Sequence, residues 1–238
     1  MYVPRMGDQA LDFGHRGWLY EESFLFYDYQ TDSLWLQASG EAVAGHYKGQ
    51  KLDRLPATQT IWKEWRQLHP ETLVLSRPRE KNSRYWRNSY ERTYATGKGI
   101  QYDRQKPLTF GMAIVTDARQ KLYPFSELQK SPVLVDQVGS NPVLVIFHHA
   151  SQTAVAWDPH YQGQELEFSL VQLLNTDITL TDCQTGSRWS GLTGHCIAGP
   201  AQGGQLGQLT TTQFVVENWP LHYPNASIYQ RNSGRRHD

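Results

Sequence analysis

The stretch Phe24-Leu25-Phe26-Tyr27-Asp28-Tyr29-Gln30-Thr31-Asp32-Ser33-Leu34-Trp35 decides the fold, because a related stretch, Ile178-Thr179-Leu180-Thr181-Asp182-Cys183-Gln184-Thr185-Gly186-Ser187-Arg188-Trp189, follows 154 residues later. The match extends without a gap from residues 24–72 to residues 178–226. Fifteen of its 49 aligned positions are identical, where ordinary residue frequencies give about three. The chain therefore contains an internal duplication.

The identical positions are mostly glycines, turn-forming residues and tryptophans. They are Asp28/Asp182, Gln30/Gln184, Thr31/Thr185, Ser33/Ser187, Trp35/Trp189, Gly40/Gly194, Ala44/Ala198, Gly45/Gly199, Gly49/Gly203, Leu52/Leu206, Leu55/Leu209, Thr58/Thr212, Gln59/Gln213, Trp65/Trp219 and Pro70/Pro224. Such residues set backbone shape and core packing. The two copies are therefore expected to share a fold rather than a catalytic centre.

Each copy has the pattern of a β-meander that ends in a short helix. Two short strands flank an Asx-type turn at residues 28–32, and glycines separate the extended pieces that follow. Residues 58–69 predict a helix with Thr58 or Thr60 as its N-cap. Its apolar stripe is predicted to consist of Ile61, Trp65 and Leu68. In the second copy Pro220 removes a backbone donor, which predicts a shorter or distorted helix.

The region between the copies carries further strand patterns. Strands are predicted at 108–116, 142–148 and 154–157, with a turn at 139–142 and one helical turn at 126–129. The second copy thus has a long upstream part, to which the first copy offers a partial match, with residues 2–13 aligned to about 147–157. The predicted organisation is a truncated first unit (1–76), a basic, aromatic-rich connecting loop (77–106), a complete second unit (107–230) and a disordered tail (231–238). The predicted fold is mainly β (α+β), with duplicated β-meander units packed as one compact pseudo-twofold domain.

Composition and charge narrow the possible partners. The chain has 23 Lys plus Arg and 23 Asp plus Glu, so its net charge favours neither nucleic acid nor an anionic membrane. No run approaches the roughly 18–20 apolar residues of a membrane helix, and residues 1–7 lack the apolar region of a signal peptide. The two cysteines, Cys183 and Cys196, do not decide the compartment.

Several spaced motifs run along the chain. They are Phe13-Gly14-x-x-Gly17-x-Leu19-Tyr20, Tyr27-Asp28-x-x-Thr31-x-Ser33-Leu34-Trp35, Gly40-Glu41-Ala42-x-Ala44-Gly45, Trp62-x-x-Trp65-x-x-x-His69-Pro70-x-Thr72-x-Val74-Leu75-Ser76, Tyr123-Pro124-x-x-x-Leu128, Val133-x-x-Asp136-x-x-Gly139, Pro142-Val143-x-Val145 and Pro224-x-x-x-Ile228-Tyr229. Over nearly the whole chain, these motifs resemble the bacterial and archaeal family called domain of unknown function 3179. The resemblance implies no assigned activity. It implies that members often carry export signals, a further upstream half and a Tyr-Cys-Pro-x-Cys-Gly segment. Here that segment reads Tyr2-Val3-Pro4-Arg5-Met6-Gly7, without either cysteine.

The candidate metal ligands are Cys183, His195, Cys196 and His148, with His222 as a further member. Their residue types suit a soft metal, but no C-x-x-C or H-x-x-x-H spacing accompanies them. The favoured alternative is that both cysteines are small core side chains. His148 ends an apolar strand and falls roughly where the family's first cysteine would lie in the other copy. His148 and His149 should point to opposite faces of that strand.

The connecting segment is rich in basic and aromatic residues, which suits an anion or ligand surface. Its candidates are Arg84, Trp86, Arg87, Tyr90 and Arg92. The favoured alternative is an irregular, exposed loop. Asp28 and Asp182 could form an acid pair across the duplication, but a turn role explains both.

Two functional classes follow from these patterns. The preferred one is a non-catalytic binding or structural module without a cofactor or a structural metal, because the shared residues are shape residues. The alternative is a metal-binding or thiol-dependent enzyme that uses Cys183, His195, Cys196 or the His148 region.

Overall fold

The computed structural model describes residues 1–74, 109–116, 119–174 and 176–231. Its elements in chain order are β1 (Arg5–Met6), β2 (Gln9–Ala10), β3 (Phe13–Tyr20), β4 (Ser23–Asp28), β5 (Leu34–Leu36), β6 (Ala42–Ala44), α1 (Trp62–Leu68), β7 (Phe110–Val115), β8 (Gln120–Pro124), α2 (Phe125–Leu128), β9 (Val133–Val138), β10 (Asn141–His148), β11 (Thr153–Trp157), β12 (His160–Tyr161), β13 (Gln164–Glu165), β14 (Phe168–Leu173), β15 (Ile178–Asp182), β16 (Arg188–Ser190), β17 (Cys196–Ala198), β18 (Thr211–Val215), a 3₁₀ turn (Val216–Asn218), α3 (Trp219–His222) and β19 (Ser227–Ile228). The mainly β class predicted from the sequence is confirmed.

The duplication appears as two sheets of the same construction. Strands β3-β4-β5-β6 form one antiparallel sheet, and β14-β15-β16-β17 form the other. Trp35 pairs with Phe26 in the first sheet, and Trp189 pairs with Leu180 at the matching position of the second. We call residues 1–74 repeat 1 and residues 157–231 repeat 2. Two further sheets, β11-β10-β9 and β18-β7-β8-β19, complete the packing, and β19 runs parallel to β8.

The start of each repeat corrects one alignment made from the sequence. Tyr2 bridges to Arg54, and Trp157 bridges to Gln208 at the matching position. The hairpins β1-β2 and β12-β13 follow these bridges in the same order. Residues 2–13 therefore match residues 157–168, and the predicted match to 147–157 was wrong. Low residue identity before position 24 hid this register.

An aspartate-tryptophan bond holds the tight turn of each repeat. Trp35 Nε1 donates to Asp28 Oδ2 at 2.8 Å, and Trp189 Nε1 donates to Asp182 Oδ2 at 2.8 Å. Both tryptophans are fully buried. This pair of identical arrangements confirms that Trp35 and Trp189 are equivalent core residues.

The core has separate clusters in the two repeats and a third one at their junction. Trp35 packs with Leu11 and Leu52, whereas Trp189 packs with residues of β10, β11 and β15. At the junction Leu25, Leu36 and Ala38 of repeat 1 contact Phe214 of repeat 2. At this junction Phe214 of β18 lies beside a repeat 1 surface. Trp219 of α3 packs in a cluster with the same Phe214.

The helices depart from the sequence-based expectation in three ways. Helix α1 begins at Trp62, and Ile61 caps it without a side-chain hydrogen bond, so Thr58 and Thr60 are not N-caps. Instead the Thr58 and Thr60 hydroxyls contact repeat 2 and Thr153 in an extended segment. The predicted stripe is wrong at Ile61, which is exposed, whereas Trp65 is half-buried and Leu68 packs against a core cluster.

Other local predictions are confirmed. Strands β7, β10 and β11 and the short helix α2 occupy the predicted places, and repeat 2 ends in a 3₁₀ turn followed by the four-residue helix α3, with Pro220 at its start. No helix in the described part of the chain has the length and apolar character needed to cross a membrane. The predicted connecting loop 77–106 and residues 232–238 of the predicted tail lie outside the described residues.

Candidate functional site: a cleft between the repeats

His148 is buried, and both of its ring nitrogens have partners. Nε2 lies 3.0 Å from the Leu174 carbonyl oxygen, so it donates there, and Nδ1 lies 2.7 Å from the Ser151 hydroxyl. Ser151 in turn contacts Thr153. His149 is exposed, which confirms that the two histidines take opposite faces. These hydrogen bonds give His148 a structural role, because they fix its ring at the end of β10.

The other candidate ligands lie along repeat 2. Cys183 is exposed after β15, so its predicted burial was wrong, whereas Cys196 is buried in β17 and both thiols are free. His195 is exposed beside Cys196. Within residues 1–74, 109–116, 119–174 and 176–231, no three His, Cys, Asp or Glu side chains are grouped so that they could hold an ion. A metal site at these residues stays a prediction.

Asp28 and Asp182 are buried acceptors of the tight turns. Thr31 N donates to Asp28 Oδ1 at 2.6 Å, and Thr185 N donates to Asp182 Oδ1 at 2.5 Å. Burial raises the pKa of each carboxyl, but hydrogen bonds from the tryptophan, threonine and backbone donors outweigh it and leave both pKa values below the ordinary range. These partners account for the structural role expected from the sequence.

The candidates of the basic segment, Arg84, Trp86, Arg87, Tyr90 and Arg92, lie outside the described residues. They stay a prediction.

A cleft of about 140 Å³ lies where repeat 1 meets repeat 2, and we call it the junction cleft. Repeat 1 contributes the start of β4 and the turn after β5, and repeat 2 contributes β18 and α3. The lining residues are Glu22, Ser23, Gln37, Ala38, Thr212, Gln213, Phe214, Val215, Asn218 and His222. Most of these side chains are polar, which distinguishes the cleft from the apolar junction cluster next to it.

The backbone of repeat 1 is held in place at the cleft by contacts to both repeats. Tyr2 donates from its hydroxyl to the Gln37 carbonyl at 2.8 Å, and burial raises the pKa of Tyr2 to about 12, so the hydroxyl keeps its proton. Arg54 donates to the Ala38 carbonyl at 3.0 Å and to the Tyr223 hydroxyl at 2.9 Å. These bonds give the cleft one rigid wall.

Two buried polar atoms of α3 have no hydrogen-bond partner among the described residues. They are Trp219 Nε1, a donor, and His222 Nδ1, an acceptor when the ring is neutral. The other ring nitrogen of His222 donates to the Glu21 backbone carbonyl, and burial lowers the pKa of His222 although the Glu21 carboxylate opposes this. The imidazole is therefore neutral near pH 7.

At the matching positions of repeat 1, neither polar atom is left without a partner. Trp65 Nε1 donates to Thr72 Oγ1 at 2.8 Å, whereas the residue that matches Thr72 in repeat 2 is Ala226. The residue that matches His222 is Leu68, which packs against the core cluster that contains Leu192. The duplicated fold can thus fill this space with apolar packing, yet repeat 2 keeps an open polar cleft there.

The turn that opens the cleft has an unusual backbone. Glu21 and Glu22, between β3 and β4, have φ values of 48° and 60°. Left-handed φ values at both centres of a two-residue turn favour Asn-Gly, and glutamate is strained there. Strain of this kind is concentrated at functional sites. The turn places two acidic residues next to His222.

Sequence reasoning missed this cleft, although one signal for it was present. The residues that differ between the copies, His222 against Leu68 and Ala226 against Thr72, were visible in the alignment. The shared positions predict the scaffold, and His222 was expected only as a further metal ligand. Its position beside Glu21 depends on tertiary packing that the sequence does not show.

A second polar cavity, of about 230 Å³, is lined by Arg119, Lys121, Gln137 and neighbours. Lys121 Nζ lies 2.6 Å from Asp136 Oδ2, which also accepts from the Tyr123 hydroxyl at 3.0 Å. Lys121 also lies over the ring of Tyr229, 5.8 Å from its centroid. The ion pair joins β8 to β9, and the contact with the Tyr229 ring holds the segment after β19 against β8, so Lys121 has a structural role beside this cavity.

Comparisons with known proteins give one result. A family model described as "Protein of unknown function (DUF3179)" matches the chain twice, over residues 1–147 and over residues 103–238. Comparisons with curated proteins and with solved structures returned no match. The two overlapping matches agree with the duplication seen in the sheets.

Proposed function

Because the chain belongs to the DUF3179 family of proteins of unknown function, we propose from its own geometry that it is a non-catalytic binding module whose ligand occupies the junction cleft. The observation that carries the proposal is the buried, unpartnered Nδ1 of His222, a residue that lines the cleft; Trp219 Nε1, on a ring that contacts the lining residue Phe214, is a second unpartnered atom. Leaving such a group buried costs about 1–3 kcal/mol. Repeat 1 avoids both costs at the matching positions, although Glu64 Oε2 in α1 is also buried without a partner among the described residues.

The contrast between the repeats supports binding over a purely structural role. If packing alone governed these positions, Leu at 222 and Thr at 226 would serve repeat 2 as they serve repeat 1. Binding sites often contain residues that lower the stability of the fold, such as buried polar groups without a partner. His222 and Trp219 fit that description. The cleft contains both kinds of position: Thr212 and Gln213 are identical to Thr58 and Gln59, whereas Asn218 and His222 differ from Glu64 and Leu68.

The enzyme alternative remains with Cys183, His195, Cys196 and His148. It is tested by metal analysis of the purified protein together with thiol titration. Stoichiometric zinc or copper that is lost in a Cys183→Ala, Cys196→Ala double variant would support it. A variant that stays folded and free of metal would leave the cysteines without such a role.

The binding proposal is tested with a library of small polar fragments by ligand-observed NMR. The comparison uses the full chain, His222→Leu and a control, Leu221→Ser, whose position is 51% exposed on the same helix. We expect hits that bind the full chain and the control, and that bind His222→Leu at least tenfold more weakly. A library without such hits, or hits insensitive to His222→Leu, would overturn the proposal.

A further inference from the structure

We infer that the second polar cavity, of about 230 Å³, binds a phosphate group, either free or as a monoester. Three elements line this cavity: the start of β8, the turn between β9 and β10, and the residues around the start of β19. We call it the β8 cavity. It shares no lining residue with the junction cleft, so the two sites are independent and either proposal can fail alone.

Arg119 supplies a positive charge to the β8 cavity that no ion pair neutralises in the described part of the chain. The residue lines the cavity and is exposed, and its guanidinium has no hydrogen bond there either. A Cβ added at Gly139 would lie 3.3 Å from Arg119 Cγ, so the stem of the arginine lies close to the turn between β9 and β10. A guanidinium can donate two parallel hydrogen bonds to a phosphate group. Arg119 is therefore the principal phosphate ligand of the proposal.

Lys121 lies beside Arg119, because residues two apart in an extended chain point to the same side. Its Nζ lies 2.6 Å from Asp136 Oδ2. An ammonium has three N–H donors, so this ion pair leaves two of them for a ligand. Asp136 does not line the cavity, and neither aspartate nor glutamate occurs among the described residues that do. The lining is thus positively charged through Arg119, with further donors from Lys121.

Neutral donors line the other two sides of the β8 cavity. Gln137 and Asn225 are exposed, and their side-chain amides have no hydrogen-bond partner within residues 1–74, 109–116, 119–174 and 176–231. The Ser227 hydroxyl makes one long bond, of 3.4 Å, to the Gln120 carbonyl. All three groups can donate to an oxygen atom placed in the cavity.

The arrangement of these donors favours a phosphate group over a carboxylate. Donors from three elements surround the cavity, and a phosphate group presents at least three acceptor oxygens, whereas a carboxylate presents two. The charge of a phosphate monoester, about −1.5 to −2 at pH 7, also gains more from Arg119 than a single negative charge does. The volume of about 230 Å³ leaves room for the organic part of a small monoester.

The experiment is a two-dimensional NMR titration of the full chain at constant ionic strength, because added salt alone screens surface charges. Inorganic phosphate and glycerol 1-phosphate are the phosphate probes, and they distinguish a free anion from a monoester. Acetate and glycerol are the carboxylate and neutral probes. The variants are Arg119→Gln and Asn225→Ala, both at exposed positions. The control is Arg188→Gln, which removes the same charge from an exposed position in β16 outside the cavity.

We expect phosphate to shift the amide signals of the cavity lining and to bind at least tenfold more tightly than acetate or glycerol. Arg119→Gln should weaken phosphate at least tenfold and Asn225→Ala at least twofold, whereas Arg188→Gln should change it less than twofold. Tighter binding of glycerol 1-phosphate than of inorganic phosphate would assign a monoester, and equal or weaker binding a free anion. Acetate that binds as tightly as phosphate, shifts confined to other parts of the chain, or equal effects of the two arginine changes would overturn the site.

Discussion

At the scale of single residues, the two repeats allow side chains at matched positions to be compared within one protein. The same backbone holds Trp65 with a threonine acceptor and Trp219 with an alanine in its place. Differences between matched positions are therefore differences in side chain within one architecture. Two predictions use this internal comparison.

The first concerns the missing acceptor of Trp219. Ala226→Thr should supply a hydroxyl to Trp219 Nε1, as Thr72 does for Trp65, and raise the free energy of unfolding by about 1 kcal/mol. Urea denaturation of the variant and the parent measures this. The reverse change, Thr72→Ala, should lower stability by a similar amount. A destabilised Ala226→Thr protein would show that the two helix ends are not equivalent.

The second concerns His222 and pH. Its pKa is lowered in the folded state by burial, so the unfolded chain, with a pKa near 6.5, binds the proton more readily. The stability linked to His222 is therefore present above about pH 6.5 and is lost as the pH falls through the folded pKa. We expect His222→Leu to be more stable than the parent, with an advantage that grows from pH 7 to pH 5. An advantage that shrinks with falling pH would contradict the lowered pKa.

At the scale of elements, the glycine turns explain why the duplication was visible in the sequence. Gly45 and Gly199 have φ values of 92° and 102°, and a Cβ on either would lie within 2.7 Å of the Cα of the turn serine, Ser33 or Ser187. No other residue fits there, so the glycines mark the same turn in both copies. The first helix offered no such marker, because the threonines expected to cap it bond instead to Gln208 of repeat 2 and to Thr153 of β11.

The third prediction separates crowding from backbone strain in these turns. Gly199→Ala should cost about 2–4 kcal/mol, since it combines a left-handed φ with a backbone clash. Gly203→Ala is the matched control, because φ is 85° there but nothing lies within 4 Å of the added Cβ. It should cost about 1–2 kcal/mol. Thermal unfolding measures both, and equal losses would mean that the close approach of Ser187 is unimportant.

At the scale of the whole molecule, the two repeats meet at the junction around Phe214 as well as through Thr58 and Leu68. Phe214 of β18 packs with Leu25 and Leu36 from repeat 1 and with Trp219 of its own repeat. Arg54 and Tyr223 join the repeats by hydrogen bonds. We expect these contacts to make unfolding a single cooperative transition.

The fourth prediction tests that junction. Phe214→Ala should lower the free energy of unfolding by about 2–4 kcal/mol, because the ring is half-buried between the repeats. Fluorescence and far-ultraviolet circular dichroism should still change together in the parent. In the variant, separate transitions would show that the junction supplies the cooperativity. Phe110→Ala, at a 42% exposed position, is the control and should change stability little.

The sequence predicted the fold better than the site for a physical reason. Glycine turns, the turn aspartates Asp28 and Asp182 and apolar strand runs are local patterns, so they could be predicted from the sequence, and they are confirmed. The junction cleft joins Glu22 to His222, which lie about 200 residues apart. Which polar side chains meet across such a distance depends on the packing of β18 against repeat 1, and one sequence carries no local pattern for it.

The bridge from Tyr2 to Arg54 also bears on how the chain is made. Both partners precede repeat 2 in the chain, so repeat 1 can close this loop of roughly fifty residues while repeat 2 is still being synthesised. Leu25 and Leu36 then lack their packing partner Phe214 until repeat 2 has been synthesised. During that interval an apolar surface stays uncovered and open to wrong partners. A fragment ending near residue 74 should therefore need a chaperone or a fusion partner to stay in solution, even with its own turns and bridge complete.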